Sequence, residues 1–140
     1  MKIKFWLMAI VLSLASLSAV AAEQVKHRLL IQVSEDSVER LMAALNAAKF
    51  VQDQYGAPNV EIEIVVFGAG VQTLKYYAPK PIPEIVKQEK YNGIRILACD
   101  YSMRKAKLRP SDMLREISYV PSGVVEIMEK QQLGWSYIRP

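Results

Sequence analysis

Cysteine and histidine are nearly absent from this chain, which has one of each, Cys99 and His27, among its 140 residues. A single cysteine excludes a disulfide bond within the chain. One cysteine and one histidine are also too few for the common structural zinc sites, which use four such ligands. We therefore expect no metal site, and we expect His27 to be an exposed residue ahead of the first strand.

The motifs of the common nucleotide-dependent and hydrolytic enzymes are also missing. The sequence has no P-loop, no G-x-S-x-G nucleophile motif and no pair of carboxylates that stands out. Gly68 and Gly70 form only a G-x-G, because Thr73 stands where a dinucleotide-binding fingerprint needs its third glycine. The G-x-G indicates a tight turn after a strand, with the alternative that its N–H groups face a bound anion. We expect no cofactor.

The amino-terminal segment has the pattern of a secretory signal peptide. Lys2 and Lys4 precede a long apolar run, and Ala19-Val20-Ala21 at its end fits an A-x-A cleavage site. The alternative is an uncleaved membrane anchor, because the run approaches the roughly 17–25 residues that span a bilayer. We expect residues 1–22 to be a cleaved signal, which predicts export to the periplasm and no stable membrane association afterwards.

Cleavage after residue 22 of the 140 would leave 118 residues, which we expect to form a single domain over 23–140. Lys2 and Lys4 supply two of the chain's four net positive charges, so the mature domain carries a net charge of only +2. A charge this small does not indicate a nucleic-acid partner, and we expect none. An exported cysteine must be shielded by burial, paired between chains or used chemically.

Strand-like and helix-like stretches alternate along the mature sequence. Short apolar runs predict strands over 28–33, 59–67, 93–99, 118–120 and 135–140. Apolar residues at helical spacing predict intervening helices, and this alternation indicates βαβ units. The sequence therefore predicts an α/β fold, in which a mainly parallel sheet lies between helices on both faces.

Several local features of the helices are predicted as well. Asp36 and Glu39 resemble the capping box of the first long helix. A brief helix is predicted over 109–117, with Ser111 or Asp112 as its cap, and the basic run over 104–109 is predicted to be a solvated loop. In the last helix we expect four residues to form the buried apolar face: Val124, Val125, Ile127 and Met128.

Reactive groups in open parallel sheets gather beyond the carboxyl ends of the strands, and Cys99 ends the third predicted strand. Arg104, Lys105 and two further cations follow it, and their charges would favour the thiolate and attract an anionic sulfur donor. The adjacent Asp100 would oppose ionisation. The alternative is that Cys99 is a packed side chain, since cysteine is among the most buried residue types.

Taken together, the segments resemble the DsrE/DsrF-like family of sulfur-relay proteins. The resemblance covers nearly all of the mature chain and is carried by "LLIQVSEDSVERLMAALNAAKFVQDQYG", "VEIEIVVFGAGVQTL", "GIRILACDYSM" and "VPSGVVEIMEKQQLGWSYIRP". It implies a three-layer α/β/α sandwich with a parallel five-stranded sheet that assembles into homo- or hetero-oligomers. It also implies a cysteine, matching Cys99, that accepts sulfur as a persulfide and passes it on without a cofactor.

On this resemblance we expect a periplasmic sulfur carrier or sulfur-binding protein, a sulfurtransferase-like relay component with Cys99 as the acceptor. Its partners would be further copies of the chain and proteins that donate and accept sulfur. Two alternatives are a non-catalytic oligomeric binding or scaffold module with a packed Cys99, and a redox sensor that forms a disulfide between chains. The residues expected to form the binding site around Cys99 come from three loops: Arg104, Lys105, Gly68, Gly70, Ser122 and Gly123.

Overall fold

The computed structural model describes residues 26–140, so the predicted signal peptide lies outside the described residues. The described chain alternates strands with helices, as the sequence predicts. The strands are β1 (His27–Val33), β2 (Val60–Val66), β3 (Arg95–Cys99), β4 (Ser118–Val120) and β5 (Ser136–Ile138). The α-helices are α1 (Val38–Tyr55), α2 (Ile82–Tyr91), α3 (Asp100–Lys105) and α4 (Gly123–Gln132).

The five strands form one sheet in the order β4-β3-β2-β1-β5, and every neighbouring pair is parallel. The chain starts in the interior strand β1, builds through the central β2 and through β3 to β4 at one edge, and then returns to place β5 at the other edge, beside β1. All the carboxyl ends therefore lie at one edge of the sheet, which brings the residues after β2 and β3 together. The predicted α/β class and the parallel five-stranded sheet are confirmed.

The alternation of side chains along the strands separates two apolar layers. Leu29, Ile31 and Val33 of β1 face the larger layer, which α1 and α2 cover. Leu30 points to the other face, into a smaller layer with Trp135 and the helix α4. Both faces of the sheet are covered, which agrees with the continuous apolar runs at 29–31, 64–67 and 96–99.

The prediction for the buried face of α4 is wrong. Ile127 is buried, but Val124 is 61% exposed and Met128 is 51% exposed, and Val125 is exposed as well. The helix instead turns Ile127 and Lys130 toward the sheet, where Lys130 Nζ lies 2.9 Å from Oε1 of the buried Glu63. Arg95 also forms an ion pair with Glu63. The ion pair between Lys130 and Glu63 holds this face of α4 against the sheet.

Two predicted caps are also wrong. The cap of α1 is Ser37, whose side chain accepts a hydrogen bond from the backbone N–H of Arg40 at 3.2 Å. The predicted helix over 109–117 is a single 3₁₀ turn, Pro110–Asp112, which follows the cap residue Arg109. The backbone N–H of Arg109 donates to the Asp112 carboxylate at 2.8 Å, so this carboxylate closes the turn.

The basic run is only partly a loop, because α3 occupies Asp100–Lys105 directly after β3. The 3₁₀ helix Gly68–Leu74 follows β2 at the same edge of the sheet.

His27 lies at the opposite end of the strands from Cys99. It is exposed and stacks on Tyr55 with ring centroids 4.0 Å apart. No helix within residues 26–140 is long and apolar enough to cross a membrane.

Candidate functional site

Cys99 is the last residue of β3 and the cap residue of α3. The residue is only 3% exposed. Its Sγ accepts a hydrogen bond from the backbone N–H of Ser102 at 3.4 Å. The sulfur thus takes the place of the side-chain oxygen that usually caps a helix, and it is fixed at the carboxyl edge of the sheet.

The surroundings of the sulfur favour its ionised form. Burial raises the pKa of the Cys99 thiol, but this effect is outweighed by hydrogen bonds, and the pKa lies below its ordinary value. The groups that lower the pKa are the Ser102 hydroxyl and the backbone N–H groups of Gly123, Ser102 and Tyr101. Of these, the Ser102 N–H makes the 3.4 Å hydrogen bond to Sγ, and the Tyr101 N–H also donates to the carbonyl oxygen of Pro121 at 3.3 Å. The thiolate is therefore stabilised by hydrogen bonds, whereas the sequence suggested the charges of the basic run.

Ser102 connects the two loops at this edge of the sheet. Its Oγ accepts a hydrogen bond from the backbone N–H of Gly68 at 2.8 Å, which leaves its own proton to be donated to Cys99 Sγ. Sequence reasoning missed Ser102, because the helix α3 was not predicted. Its position three residues after Cys99, where a cap receives its hydrogen bond, is the signal that could have identified it.

A cavity of about 460 Å³ lies against Cys99. Three of the predicted binding residues, Gly68, Lys105 and Ser122, line it together with Cys99. Most of the remaining wall is apolar, and Lys105 supplies one positive charge, with its Nζ 5.5 Å from the centre of the Tyr101 ring. The further lining residues are Phe67, Ala69, Tyr101, Ser102, Ala106 and Val124.

Gly123 does not line the cavity, but its backbone N–H donates to Cys99 and the residue packs closely on Phe67. A Cβ atom at Gly123 would lie 2.8 Å from Cβ of Phe67, so only glycine fits at this position. The predicted Gly123 therefore serves the site through its backbone.

Two predicted binding residues lie outside the cavity. Arg104 is exposed on α3 and does not line it. The backbone N–H of Gly70 donates to the carbonyl oxygens of Ser34 and Phe67 at 3.2 and 3.0 Å. Because the N–H groups of Gly68 and Gly70 both have partners within the protein, the G-x-G segment is a packed turn and not an anion-binding loop.

The comparisons with known proteins agree with this architecture. A family model described as the DsrE/DsrF-like family matches residues 27–140. A solved structure, the protein of unknown function MTH1491 from Methanobacterium thermoautotrophicum, is 27% identical with a TM-score of 0.75. The match covers 82% of this chain and 100% of that one.

Two further solved structures share the fold at lower identity. The ychN protein from E. coli is 12% identical with a TM-score of 0.62, over 81% of this chain and 97% of its own. The conserved protein of unknown function BT1422 from Bacteroides thetaiotaomicron is 18% identical with a TM-score of 0.58, over 79% and 92%. Among curated proteins, none matches the sequence significantly.

Proposed function

This chain belongs to the DsrE/DsrF-like family, and from this membership we propose that it is a sulfur-relay protein that carries sulfur as a persulfide on Cys99. The main support is the position of Cys99 Sγ at the wall of the 460 Å³ cavity, where hydrogen bonds lower the thiol pKa. The thiolate is the nucleophilic form of cysteine, so these surroundings prepare Cys99 to attack a sulfur donor.

In the proposed step, the Cys99 thiolate attacks the outer sulfur of a donor persulfide, R–S–SH. A new sulfur–sulfur bond forms at Cys99, the donor's sulfur–sulfur bond breaks, and RS⁻ leaves with the bonding electron pair. The product on the protein is Cys99–S–SH. Since one sulfur–sulfur bond replaces another, the step needs no external oxidant, reductant or cofactor.

Onward transfer repeats the same chemistry with Cys99 as the leaving group. The thiolate of an acceptor protein attacks the outer sulfur of Cys99–S–SH, and the Cys99 thiolate departs. A thiol of lower pKa leaves faster. The hydrogen bonds from Ser102 and Gly123 therefore support both halves of the relay, because they stabilise the thiolate that attacks first and is released later.

The proposal includes export and assembly. The signal-peptide pattern of residues 1–22 supports a periplasmic location, where the partners would be sulfur-donor and sulfur-acceptor proteins of that compartment. The exposed apolar side chains of α4, Val124 and Met128 among them, support association of the chain with further copies. Val124 also lines the Cys99 cavity, so a copy bound to α4 would lie beside the site.

Intact-mass analysis of the reduced protein after exposure to polysulfide tests the proposal. We expect a mass gain of one sulfur atom, reversible by a reducing thiol and absent in Cys99→Ser. Ser111→Ala, which changes an exposed serine outside the cavity, should gain sulfur as the unchanged protein does. An unmodified protein whose thiol reacts with alkylating reagents only after denaturation would overturn the proposal.

The 3% exposure of Cys99 favours a second candidate, a non-catalytic binding or scaffold module in which the thiol is a packed side chain. This candidate predicts that Cys99→Ala retains self-association and partner binding and that the native thiol is inert. Analytical ultracentrifugation of Cys99→Ala, together with the alkylation rate of the native protein, distinguishes the two. A thiol that reacts rapidly in the native protein contradicts the scaffold.

A further inference from the structure

A second cavity, of about 650 Å³, shares no lining residue with the Cys99 cavity. It lies between Tyr76, the first turns of α2 and the segment 110–116 that leads to β4. Its volume falls within the range of about 300–1,000 Å³ that is typical of small-molecule sites. The sulfur-relay proposal assigns no role to this cavity.

Backbone hydrogen bonds hold the walls of the second cavity in place. The N–H of Tyr76 donates to the carbonyl oxygen of Asp112 at 3.0 Å, and the N–H of Leu114 donates to that of Leu74 at 2.9 Å. Lys75 and Met113 form an antiparallel bridge between the same two segments. The cavity is therefore formed without a ligand, which lowers the entropic cost of binding one.

The inner surface of the cavity is apolar. Met113 and Leu114 are buried core residues, and each contributes to the lining. Pro83 and Pro110 extend the apolar surface, and Tyr76 adds an exposed aromatic ring at its edge. Such a surface fits a hydrocarbon chain or a ring, because contact with it removes apolar surface of the ligand from water.

Charged residues surround the apolar surface, and their balance indicates the charge of the ligand. Glu84 lies 3.9 Å from Lys80, which offsets its charge. Lys87, Arg115 and Glu116 have no ion-pair partner among residues 26–140. Two unpaired positive charges and one unpaired negative charge leave a net charge of +1, which complements a single negative charge on the ligand.

We propose that this cavity binds a small amphipathic monocarboxylate, with its apolar body on Met113 and Leu114 and its carboxylate between Lys87 and Arg115. The Arg115 guanidinium has the planar geometry that binds a carboxylate through two parallel hydrogen bonds. Glu116 disfavours a second negative charge, so dicarboxylates bind more weakly. The site is separate from the Cys99 cavity, and its occupation does not depend on the proposed relay.

The test is a titration of the ¹⁵N-labelled protein with 3-phenylpropionate, followed by NMR. We expect saturable shifts at the amides of Tyr76 and of residues 84–87 and 111–116, with the amides around Cys99 unchanged. The uncharged analogue 3-phenylpropanamide should bind roughly tenfold more weakly or worse, because it lacks the charged oxygens. Equal affinity for the two probes would overturn the proposal. The absence of saturable shifts at about 10 mM 3-phenylpropionate would also overturn it, because a site with a Kd of about 1 mM is nearly saturated at that concentration.

Matched variants identify the residues that hold the carboxylate. Lys87→Gln and Arg115→Gln should each weaken the binding of 3-phenylpropionate several-fold and leave that of the amide nearly unchanged. Lys90→Gln removes an exposed charge from the same helix outside the cavity, and it should keep the original affinity. An affinity loss in Lys90→Gln as large as that in Lys87→Gln would show a nonspecific charge effect and contradict the assigned site.

Discussion

The backbone N–H of Ser102 donates to Cys99 Sγ at 3.4 Å, so the proposed nucleophile also caps the helix that follows it. A capping hydrogen bond stabilises the helix, and the same bond stabilises negative charge on the sulfur. The end of β3 and the start of α3 therefore place the thiol and lower its pKa through one local arrangement. The Ser102 hydroxyl adds a second donor to the same atom.

Ser102→Ala should raise the pKa of the Cys99 thiol, because the hydroxyl hydrogen bond to the thiolate is lost while the backbone bonds remain. At neutral pH we expect alkylation of the native protein by iodoacetamide to slow several-fold. The pH profile of the alkylation rate gives the thiol pKa directly. Ser111→Ala is the control, and its pH profile should match that of the unchanged protein. If the profile of Ser102→Ala also matched it, the Ser102 hydroxyl would have no role in lowering the thiol pKa.

Gly123→Ala should destabilise the protein by about 1–3 kcal/mol, the usual cost of overpacking a tightly packed position. The added Cβ would lie 2.8 Å from Cβ of Phe67, which forces the start of α4 away from Cys99. Because the Gly123 N–H then moves away from the sulfur, alkylation of the thiol should also slow. Urea unfolding and alkylation rates measure the two effects. Val125→Ala, at an exposed position in the same turn, should change the stability by less than about 0.5 kcal/mol.

The fold could be predicted from the sequence because its signals are local and repeated. Residues 60–64 alternate between apolar side chains and glutamates, but residues 64–67 are continuously apolar, which indicates a strand entering a sheet covered on two sides. Strands and helices alternate with connections too long for hairpins, which requires parallel pairing. These two constraints, together with right-handed crossovers, leave few architectures, and the observed sheet is one of them.

The immediate surroundings of Cys99 could not be predicted in the same way. The helix α3 has six residues, too few for a periodic apolar pattern, and its sequence is dominated by charge and by a single buried residue, Met103. Cysteine is also not a usual cap residue. Without α3 there was no reason to place Ser102 beside Cys99, and the predicted activation of the thiol rested on the basic run instead.

The buried face of α4 depends on a partner far away in the sequence. Val124, Val125 and Met128 are as apolar as Ile127, so the pattern within the helix does not determine which side is buried. Glu63, 67 residues from Lys130 along the chain, determines it through the buried ion pair. Local periodicity contains no information about such a pairing, and the predicted face was wrong for that reason.

Lys130→Met should destabilise the protein by about 1.5–3 kcal/mol, the usual contribution of a hydrogen bond to a charged group, because the buried Glu63 carboxylate loses one of its cationic partners. Glu63 is 1% exposed and would retain only Arg95 as a counter-charge. Replacing both residues, in Glu63→Gln with Lys130→Met, should recover part of this loss, because the buried side chain then carries no charge that needs the missing partner. Urea unfolding of the single and double variants measures the coupling. A double variant less stable than Lys130→Met would contradict the interpretation.

Ionisation of Glu89 should lower the free energy of unfolding as the pH rises. Its side chain is buried on α2, and desolvation raises the pKa of its carboxyl above the ordinary value, against the opposing effects of Lys49 and Asn92. The folded protein therefore binds this proton more tightly than the unfolded chain does. Its stabilising contribution is complete below the unfolded pKa, near 4.3, and is lost as the pH rises through the higher folded pKa.

Glu89→Gln removes this titration, and the variant should lose less stability than the unchanged protein between about pH 4 and pH 8. Urea unfolding across that range, fitted for the difference in the free energy of unfolding, measures the effect. Glu84→Gln is the matched control, since Glu84 is an exposed carboxylate on the same helix. This variant shows how the removal of one carboxylate charge from the helix affects the measurement. The contrary outcome is that the free energy of unfolding falls equally with pH in Glu89→Gln and in Glu84→Gln. The Glu89 carboxyl would then ionise in the folded protein without a measurable cost, which would contradict the raised pKa.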